Sequence, residues 1–365
     1  MELIIGLLII AVGAFCQSSC YVPINKIKNW SWESYWIVQG VFAWVLFPFL
    51  GALLAVPEGH SFCEMFAETS SFNIWMTVLF GVLWGVGGLT FGLSMRYLGV
   101  ALGQSIALGT CAGLGTVMGP VLINIFFPER NALSSLTFAV ILGVVVTLVG
   151  IAIIGVAGSM KASSLSEEEK KEAVKDFNFP KGLAIALLAG FMSGCFNVGL
   201  EFGKDIHFAE SAPMFATLPA TLLVTLGGFV TNLVYCFYQN SVNNTWSDYL
   251  PVVSIAKKIR EKDGWKITDY RISSFWLSNI FFSALAGALW YSQFFGLSLG
   301  KGFLTSSETL TTLAFCILMA FNVVFSNVWG IILKEWKGCS RKTINVLIIG
   351  IVVLIISTFL PKLIG

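Results

Sequence analysis

The chain predicts an all-α integral membrane protein: ten transmembrane helices arranged as two five-helix repeats of inverted topology. Three observations carry this. Ten strongly apolar stretches each have about the 20 residues that a helix needs to cross a bilayer core. Of 365 residues, 56% are hydrophobic and 12% charged, against about 25% charged in an average soluble domain, and the mean hydropathy is +0.82. Finally, basic residues fill alternate gaps: the first, third, fifth, seventh and ninth hold 2, 1, 5, 6 and 4 of the 22 Lys and Arg residues. By the positive-inside rule those gaps face the cytoplasm and both termini lie outside it.

The first crossing, Leu3 to Tyr21, lacks the basic n-region and small-residue cleavage site of a secretory signal, so it is expected to stay. Crossings two and three run from Tyr35 to Val56 and from Phe72 to Ser94. In the third, Gly81, Gly85, Gly88 and Gly92 recur at helical spacing and make one face, which suits close packing of membrane helices. The fourth, Val100 to Phe127, adds Gly109, Gly113, Gly115 and Gly119, and the fifth runs from Leu133 to Val156. A charged linker over 158–181 then separates a first half, 1–157, from a second, 182–365. Inside the linker, Ser166 and Glu169 form a capping box, which predicts a short helix over Glu167 to Lys175. The second half crosses at Gly182 to Phe202, Pro213 to Gln239, Ser274 to Gly296, Thr309 to Leu333 and Ile344 to Leu363. Pro48, Pro120 and Pro219 are expected to kink crossings two, four and seven and to free carbonyls.

Five crossings per half force the halves into opposite orientations. Two echoes link them: Ser18-Ser19-Cys20-Tyr21 recurs as Ser193-Gly194-Cys195-Phe196, in crossings one and six. Leu83-Trp84 followed by Phe91-Gly92-Leu93-Ser94 recurs as Leu289-Trp290 followed by Phe295-Gly296-Leu297-Ser298, in crossings three and eight. Inverted repeats of this kind are typical of secondary transporters with a site near the membrane midplane.

Other functions find little support. A net charge of +2 gives no basic stripe for nucleic acid. Cys16, Cys20, Cys111, Cys195, Cys236 and Cys316 lie in apolar crossings and Cys63 stands alone outside, with no zinc-ligand spacing, so neither metal nor cofactor is expected. No Ser-His, paired-Asp or zinc motif falls within the crossings, which argues against an enzyme.

Polar side chains in hydrocarbon are costly without partners, so those in mid-crossing are the candidates for a substrate path. Trp290, Gln293 and Phe294 share one helix face, and an indole beside an amide suits a sugar ring: the C–H face stacks on the aromatic while the amide meets hydroxyls. Trp84 lies in mid-crossing, away from any interface, and Asn322 with Ser326 and Asn327 forms a polar stripe. Gln17 and Gln104 are second-rank candidates, either contacting substrate or bonding between helices. Thr217, Thr221 and Thr225 are expected to bond back to their own helix. For proton coupling, Glu201 and then Glu308 are the acidic candidates; Glu201 has the alternative reading of an interface residue near Lys204. Arg96 is either a topology determinant or a gate, and His60 and His207 are expected to be solvated.

Several segments together resemble the L-rhamnose-proton symporter family of the drug/metabolite transporter superfamily. They are Tyr21-Val22-Pro23 leading to Lys26-Ile27-Lys28-Asn29-Trp30-Ser31-Trp32-Glu33, then Leu83-Trp84-Gly85 and Met95-Arg96-Tyr97-Leu98-Gly99. Further on come Leu289-Trp290-Tyr291-Ser292-Gln293-Phe294-Phe295 and Leu333-Lys334-Glu335-Trp336. The resemblance implies ten helices, a multi-pass protein of the bacterial inner membrane, and proton-driven import of a 6-deoxyhexose such as L-rhamnose; with the orientation read from the basic gaps, both termini are then periplasmic. A transporter of another deoxyhexose or metabolite, or a membrane sugar sensor, are the alternatives. Two positions depart from the family: Gly87-Gly88-Leu89 stands where an amide follows the tryptophan of crossing three, and Glu201 stands where an amide is familiar. The seventh gap, with Trp246, Asp248, Lys257, Lys258, Arg260 and Lys262, is longer than usual and predicts an amphipathic cytoplasmic helix.

Overall fold

A computed structural model describes residues 1–98, 100–164, 178–255, 259–261, 264–266, 269–272, 275–334 and 336–364. Among these, ten helices are long and apolar enough to cross a membrane. The first half supplies α1 (Glu2–Ile24), α2 (Trp32–Leu53), α3 (Ser71–Leu98), α4 (Val100–Phe126) and α5 (Phe138–Ser163). The second supplies α6 (Phe179–Phe202), α7 (Leu218–Asn243), α8 (Trp276–Leu304), α9 (Glu308–Ile332) and α10 (Arg341–Ile364). The end of the bundle where α5 stops and α6 starts is called here the linker end, and the other the far end. The short helix expected over Glu167 to Lys175 lies outside the described residues.

The helices pack in exchanged pairs. α1 lies against α8 and α9, and α6 lies against α3 and α4; α3 rests on α7, and α2 on α8. α4 packs on α5 and α9 on α10, while α2 meets α7, α4 meets α9, and α5 meets α10. Glycine permits the tightest of these contacts. A methyl on Gly81 would collide with the Val224 carbonyl, and one on Gly85 would come within 2.9 Å of the Gly228 backbone, so α3 and α7 touch nearly backbone to backbone. Gly6 and Gly300 bring α1 and α8 together in the same way. Gly88, on the same face of α3, has nothing within 4 Å of such a methyl and does not pack.

The three prolines take three different settings. Pro219 sits in the first turn of α7, where its missing N–H is no loss, so the helix begins at Leu218 and not at Pro213. Pro120 lies inside α4, which runs on through it. At Pro48 the absent donor is absorbed by a π-helical turn, Val41–Leu46, just before it.

Three further expectations change. α3 continues to Leu98, so Arg96 is in its last turn and not in a tight turn after it; its side chain lies outside the described residues. In the seventh gap, the described residues form a 3-10 turn, Trp246–Tyr249, and four strands in place of an amphipathic helix. β1 (Val252–Ile255) pairs antiparallel with β4 (Asp269–Ile272), and β2 (Ile259–Glu261) with β3 (Gly264–Lys266). The β-branched run Val252-Val253 favours strand over helix. His207, finally, is only partly exposed, with its Nδ1 buried and without a partner, whereas His60 is exposed and lies 3.8 Å from Glu64.

At the linker end a polar network fastens α2 to α7. The Glu33 carboxylate accepts from Asn243 Nδ2 at 3.0 Å and Thr245 Oγ1 at 2.8 Å, and Asn240 Nδ2 donates to Ser34 Oγ at 2.9 Å. Burial pushes the Tyr249 hydroxyl up to about 12, so it stays protonated and donates to Asn240 Oδ1 at 2.8 Å. At the far end, the loops before α5 and before α7 are joined by the Arg130–Asp205 ion pair at 2.8 Å.

Candidate central cavity

A cavity of about 200 Å³ lies among α1, α2, α3, α4, α6, α7, α8 and α9. It is smaller than the roughly 300–1,000 Å³ of sites for drug-sized ligands and larger than the roughly 150 Å³ that takes a benzene ring. That is the scale of a single substituted six-membered ring.

Five of the six residues predicted to meet substrate line it: Gln17, Trp84, Trp290, Gln293 and Asn322. Gln104 does not; it borders a separate cleft of about 50 Å³ with Asn327 and Trp336. The one-face spacing of Trp290, Gln293 and Phe294 places all three on the cavity. Trp84 and Trp290, the tryptophans of the two Leu-Trp echoes, come from α3 and α8 to stand with ring centroids 5.7 Å apart.

Two tryptophans of α2 complete the aromatic wall, and the sequence reading passed over both. Trp44 meets Trp84 and Trp290 edge-on at 6.0 and 5.9 Å, and Trp36 meets Trp44 at 5.6 Å. Trp44 stands within the π-helical turn, whose extra residue per turn alters which side chains face inward. Trp36 donates from Nε1 to Asn232 Oδ1 of α7 at 3.0 Å, and Asn232 donates in turn to the Gly228 carbonyl at 2.8 Å. The available signal was the mid-helix depth of Trp44, the same signal that marked Trp84.

The polar side of the cavity is internally braced. Asn322 Nδ2 donates to Gln293 Oε1 at 2.9 Å, Gln293 Nε2 donates to the Trp290 carbonyl at 3.2 Å, and Ser18 Oγ donates to the Asn322 carbonyl at 3.2 Å. Two buried polar atoms have no partner, Trp44 Nε1 and Asn322 Oδ1. A buried donor or acceptor left unmade costs about 1–3 kcal/mol, and both atoms lie beneath the cavity surface with almost no accessible area. The rest of the lining is largely apolar, with Leu108, Cys111, Phe196, Phe315 and Met319, and Phe315 and Met319 share a face of α9 with Asn322.

The cavity adjoins a larger space toward the linker end. Trp36, Gly88 and Phe91 line both it and a vestibule of about 670 Å³ bounded also by Tyr21, Tyr35, Leu89 and Tyr235.

The predicted acidic residues lie elsewhere. Glu201 is half-buried near the far end of α6, against Gly119 of α4, and among the described residues it makes no ion pair with Lys204. Glu308 is exposed in the first turn of α9, where a negative charge suits the helix dipole. Of the three threonines of α7, Thr221 and Thr225 bond back to their own helix, at 2.8 and 2.9 Å. Thr217 instead donates to Ser298 Oγ of α8 at 2.7 Å, which ties the two helices together near the far end.

Comparison with known proteins adds a family. Residues 1–363 match the family described as L-rhamnose-proton symport protein. The chain is 30% identical over 362 residues to the L-rhamnose-proton symporters of Yersinia pestis (strain Pestoides F) and Yersinia pseudotuberculosis (serotype O:1b), covering 97% of this chain and 96% of theirs.

Proposed function

Because the chain belongs to the L-rhamnose-proton symport family, we propose that it imports L-rhamnose with a proton across the bacterial inner membrane. The observation that carries the reading to a site is the meeting of Trp84, Trp290, Gln293, Asn322 and Gln17 around one ring-sized cavity. Indole faces stack on the C–H face of a sugar, and the amides exchange hydrogen bonds with its hydroxyls. Gln104, Glu308 and Arg96 are not part of the proposed site.

Alternating access follows from two inverted halves, 1–157 and 182–365, joined by the 158–181 linker. What supports this is the exchange of partners under a shift of five helices: α1 on α8 mirrors α6 on α3, and α3 on α7 mirrors α8 on α2. The linker end is then cytoplasmic and both termini periplasmic, in keeping with the basic gaps. The vestibule reached past Gly88 is the cytoplasmic exit.

For the proton we favour Glu201. It is a half-buried carboxylate within a crossing, near the periplasmic end where protons enter, and it has no ion-pair partner among the described residues. One charge entering gains about 2.3 kcal/mol per 100 mV, enough for roughly 50-fold accumulation.

The test is uptake of labelled L-rhamnose into proteoliposomes under an imposed pH gradient. Accumulation is expected to vanish when gradient and potential are both collapsed; uptake indifferent to them sinks the symport reading. Glu201→Gln is expected to keep sugar counterflow and lose accumulation, and normal accumulation in that variant removes Glu201.

A further inference from the structure

The central cavity is not the most spacious hollow. A groove of about 850 Å³ opens between α4, α5 and the first turn of α10. Along α5 its lining runs from Leu148, near the middle of the helix, to Ser164 just past its linker end. At about 1.5 Å per residue that is about 24 Å, close to the roughly 20–22 Å of one bilayer leaflet with its headgroups. The lining is graded along this depth. Its deep part is made by Leu148, Ile151, Ala152 and Val156, and exposed Ala152 and Val156 leave it open sideways to hydrocarbon. Thr110, the polar residue there, spends its hydroxyl on the Ile106 carbonyl at 2.7 Å. At the linker end the lining changes to the hydroxyls of Ser163, Ser164, Ser340 and Thr343. Three basic residues stand beside that end. Lys161 holds its Nζ 4.8 Å from the centre of the Trp336 ring, and Arg341 and Lys342 are exposed in the first turn of α10, which contains no acidic residue. A second groove, of about 390 Å³ between α1 and α8, lacks this grading: its one lining hydroxyl, Ser292, bonds back to the Ala288 carbonyl at 2.8 Å, and no charged residue lines it.

We propose that the groove between α4, α5 and α10 is a binding site for one anionic phospholipid of the leaflet at the linker end. An acyl chain lies along Leu148, Ile151 and Val156, and the phosphate sits at the hydroxyl end within reach of Lys161, Arg341 and Lys342. The apolar depth selects a chain, and the basic rim selects the charge of the headgroup. A zwitterionic lipid brings its own cation to that rim and forfeits the attraction. Each basic residue near the membrane surface favours an anionic lipid by about 5-fold, so Arg341 and Lys342 together supply a preference of about 25-fold. The site is independent of which solute the protein carries.

The test titrates the delipidated protein in detergent with dioleoylphosphatidylglycerol and, separately, with dioleoylphosphatidylcholine, counting bound lipid by native mass spectrometry. The first phosphatidylglycerol is expected to bind at least about 25-fold more tightly than the first phosphatidylcholine. Arg341→Gln combined with Lys342→Gln is expected to lose about 25-fold in affinity for phosphatidylglycerol and none for phosphatidylcholine. Both residues are exposed, so this variant keeps the fold. Ala152→Phe fills the deep part of the groove and is expected to lose the first bound lipid of either kind. Lys26→Gln removes an exposed cation in the first gap, away from the groove, and is expected to match wild type. Equal affinities for the two lipids in wild type, an unaltered preference in the double variant, or the same loss in Lys26→Gln overturns the headgroup assignment. Unaltered binding of both lipids by Ala152→Phe overturns the groove as their seat. A dimer that takes up neither lipid gives the groove to a second copy of the chain and overturns the proposal as well.

Discussion

Gly85 and Gly88 stand less than a turn apart on α3, and the same added methyl is expected to do opposite things at the two positions. At Gly85 it would meet Thr231 Cβ at 2.8 Å and the Gly228 Cα and carbonyl oxygen at 2.9 Å, where ordinary contact begins at 3.4 Å. Two of those atoms are backbone, so α3 and α7 must move apart. Overpacking of this kind costs about 1–3 kcal/mol, and the Thr231 bond to the Val82 carbonyl across the same seam, 3.1 Å long, adds about 1 kcal/mol if lost. Against this, replacing glycine by alanine in a helix gains about 1 kcal/mol, leaving Gly85→Ala less stable by about 0–3 kcal/mol. At Gly88 the methyl meets nothing within 4 Å, so Gly88→Ala keeps the whole gain of about 1 kcal/mol. Thermal unfolding of the purified variants in detergent is the assay, with the expected order Gly88→Ala above wild type above Gly85→Ala. Gly88 lines both cavity and vestibule, so Gly88→Phe is expected to fold and, by filling the space between them, to abolish transport. Equal destabilisation by Gly85→Ala and Gly88→Ala would refute the reasoning about the seam, and undiminished transport in Gly88→Phe would refute the exit.

Other expectations are as specific. Trp290→Ala should raise the KM for L-rhamnose by roughly 30-fold, about 2 kcal/mol for the loss of a central aromatic contact, and a KM like that of wild type removes Trp290 from the site. Glu33→Ala should lower stability by roughly 1.5–3 kcal/mol, because Asn243 and Thr245 both donate to that buried carboxylate, while Glu33→Gln keeps an acceptor and loses less. An unfolding temperature unchanged in Glu33→Ala would show that the network between α2 and α7 contributes nothing. Tyr291 has a buried hydroxyl without a partner, so Tyr291→Phe should leave stability equal or higher; a loss above about 1 kcal/mol would mean that the hydroxyl is bonded after all.

The ten crossings were legible because a bilayer imposes its thickness on sequence: a helix that must bury its backbone polar groups in hydrocarbon announces itself by length and hydropathy. Trp84, Trp290, Gln293 and Asn322 were legible for the same reason, since an amide or a mid-depth indole in that setting needs a use. Gln104 passed the same filter and lies outside the cavity, because depth along a helix says nothing about which way a side chain faces. Trp44 shows the same mid-helix depth as Trp84, but its direction is set by the π-helical turn before Pro48, which hydropathy does not reveal; Trp36 is held by its bond to Asn232 from the other half, and the seventh-gap strands follow the β-branched run and not the charge composition.

Sequence alone therefore determined the number of helices, their alternation and the membrane setting, all of which follow from hydropathy and charge counted along one dimension. Tertiary structure decided which side chains share the cavity, that Gly88 opens where Gly85 packs, and that Trp44 Nε1 and Asn322 Oδ1 are left without partners. Those depend on contacts between residues more than 200 positions apart, such as Trp44 against Trp290 and Gly6 against Gly300, and no local pattern encodes the distance between two helices brought together from opposite halves.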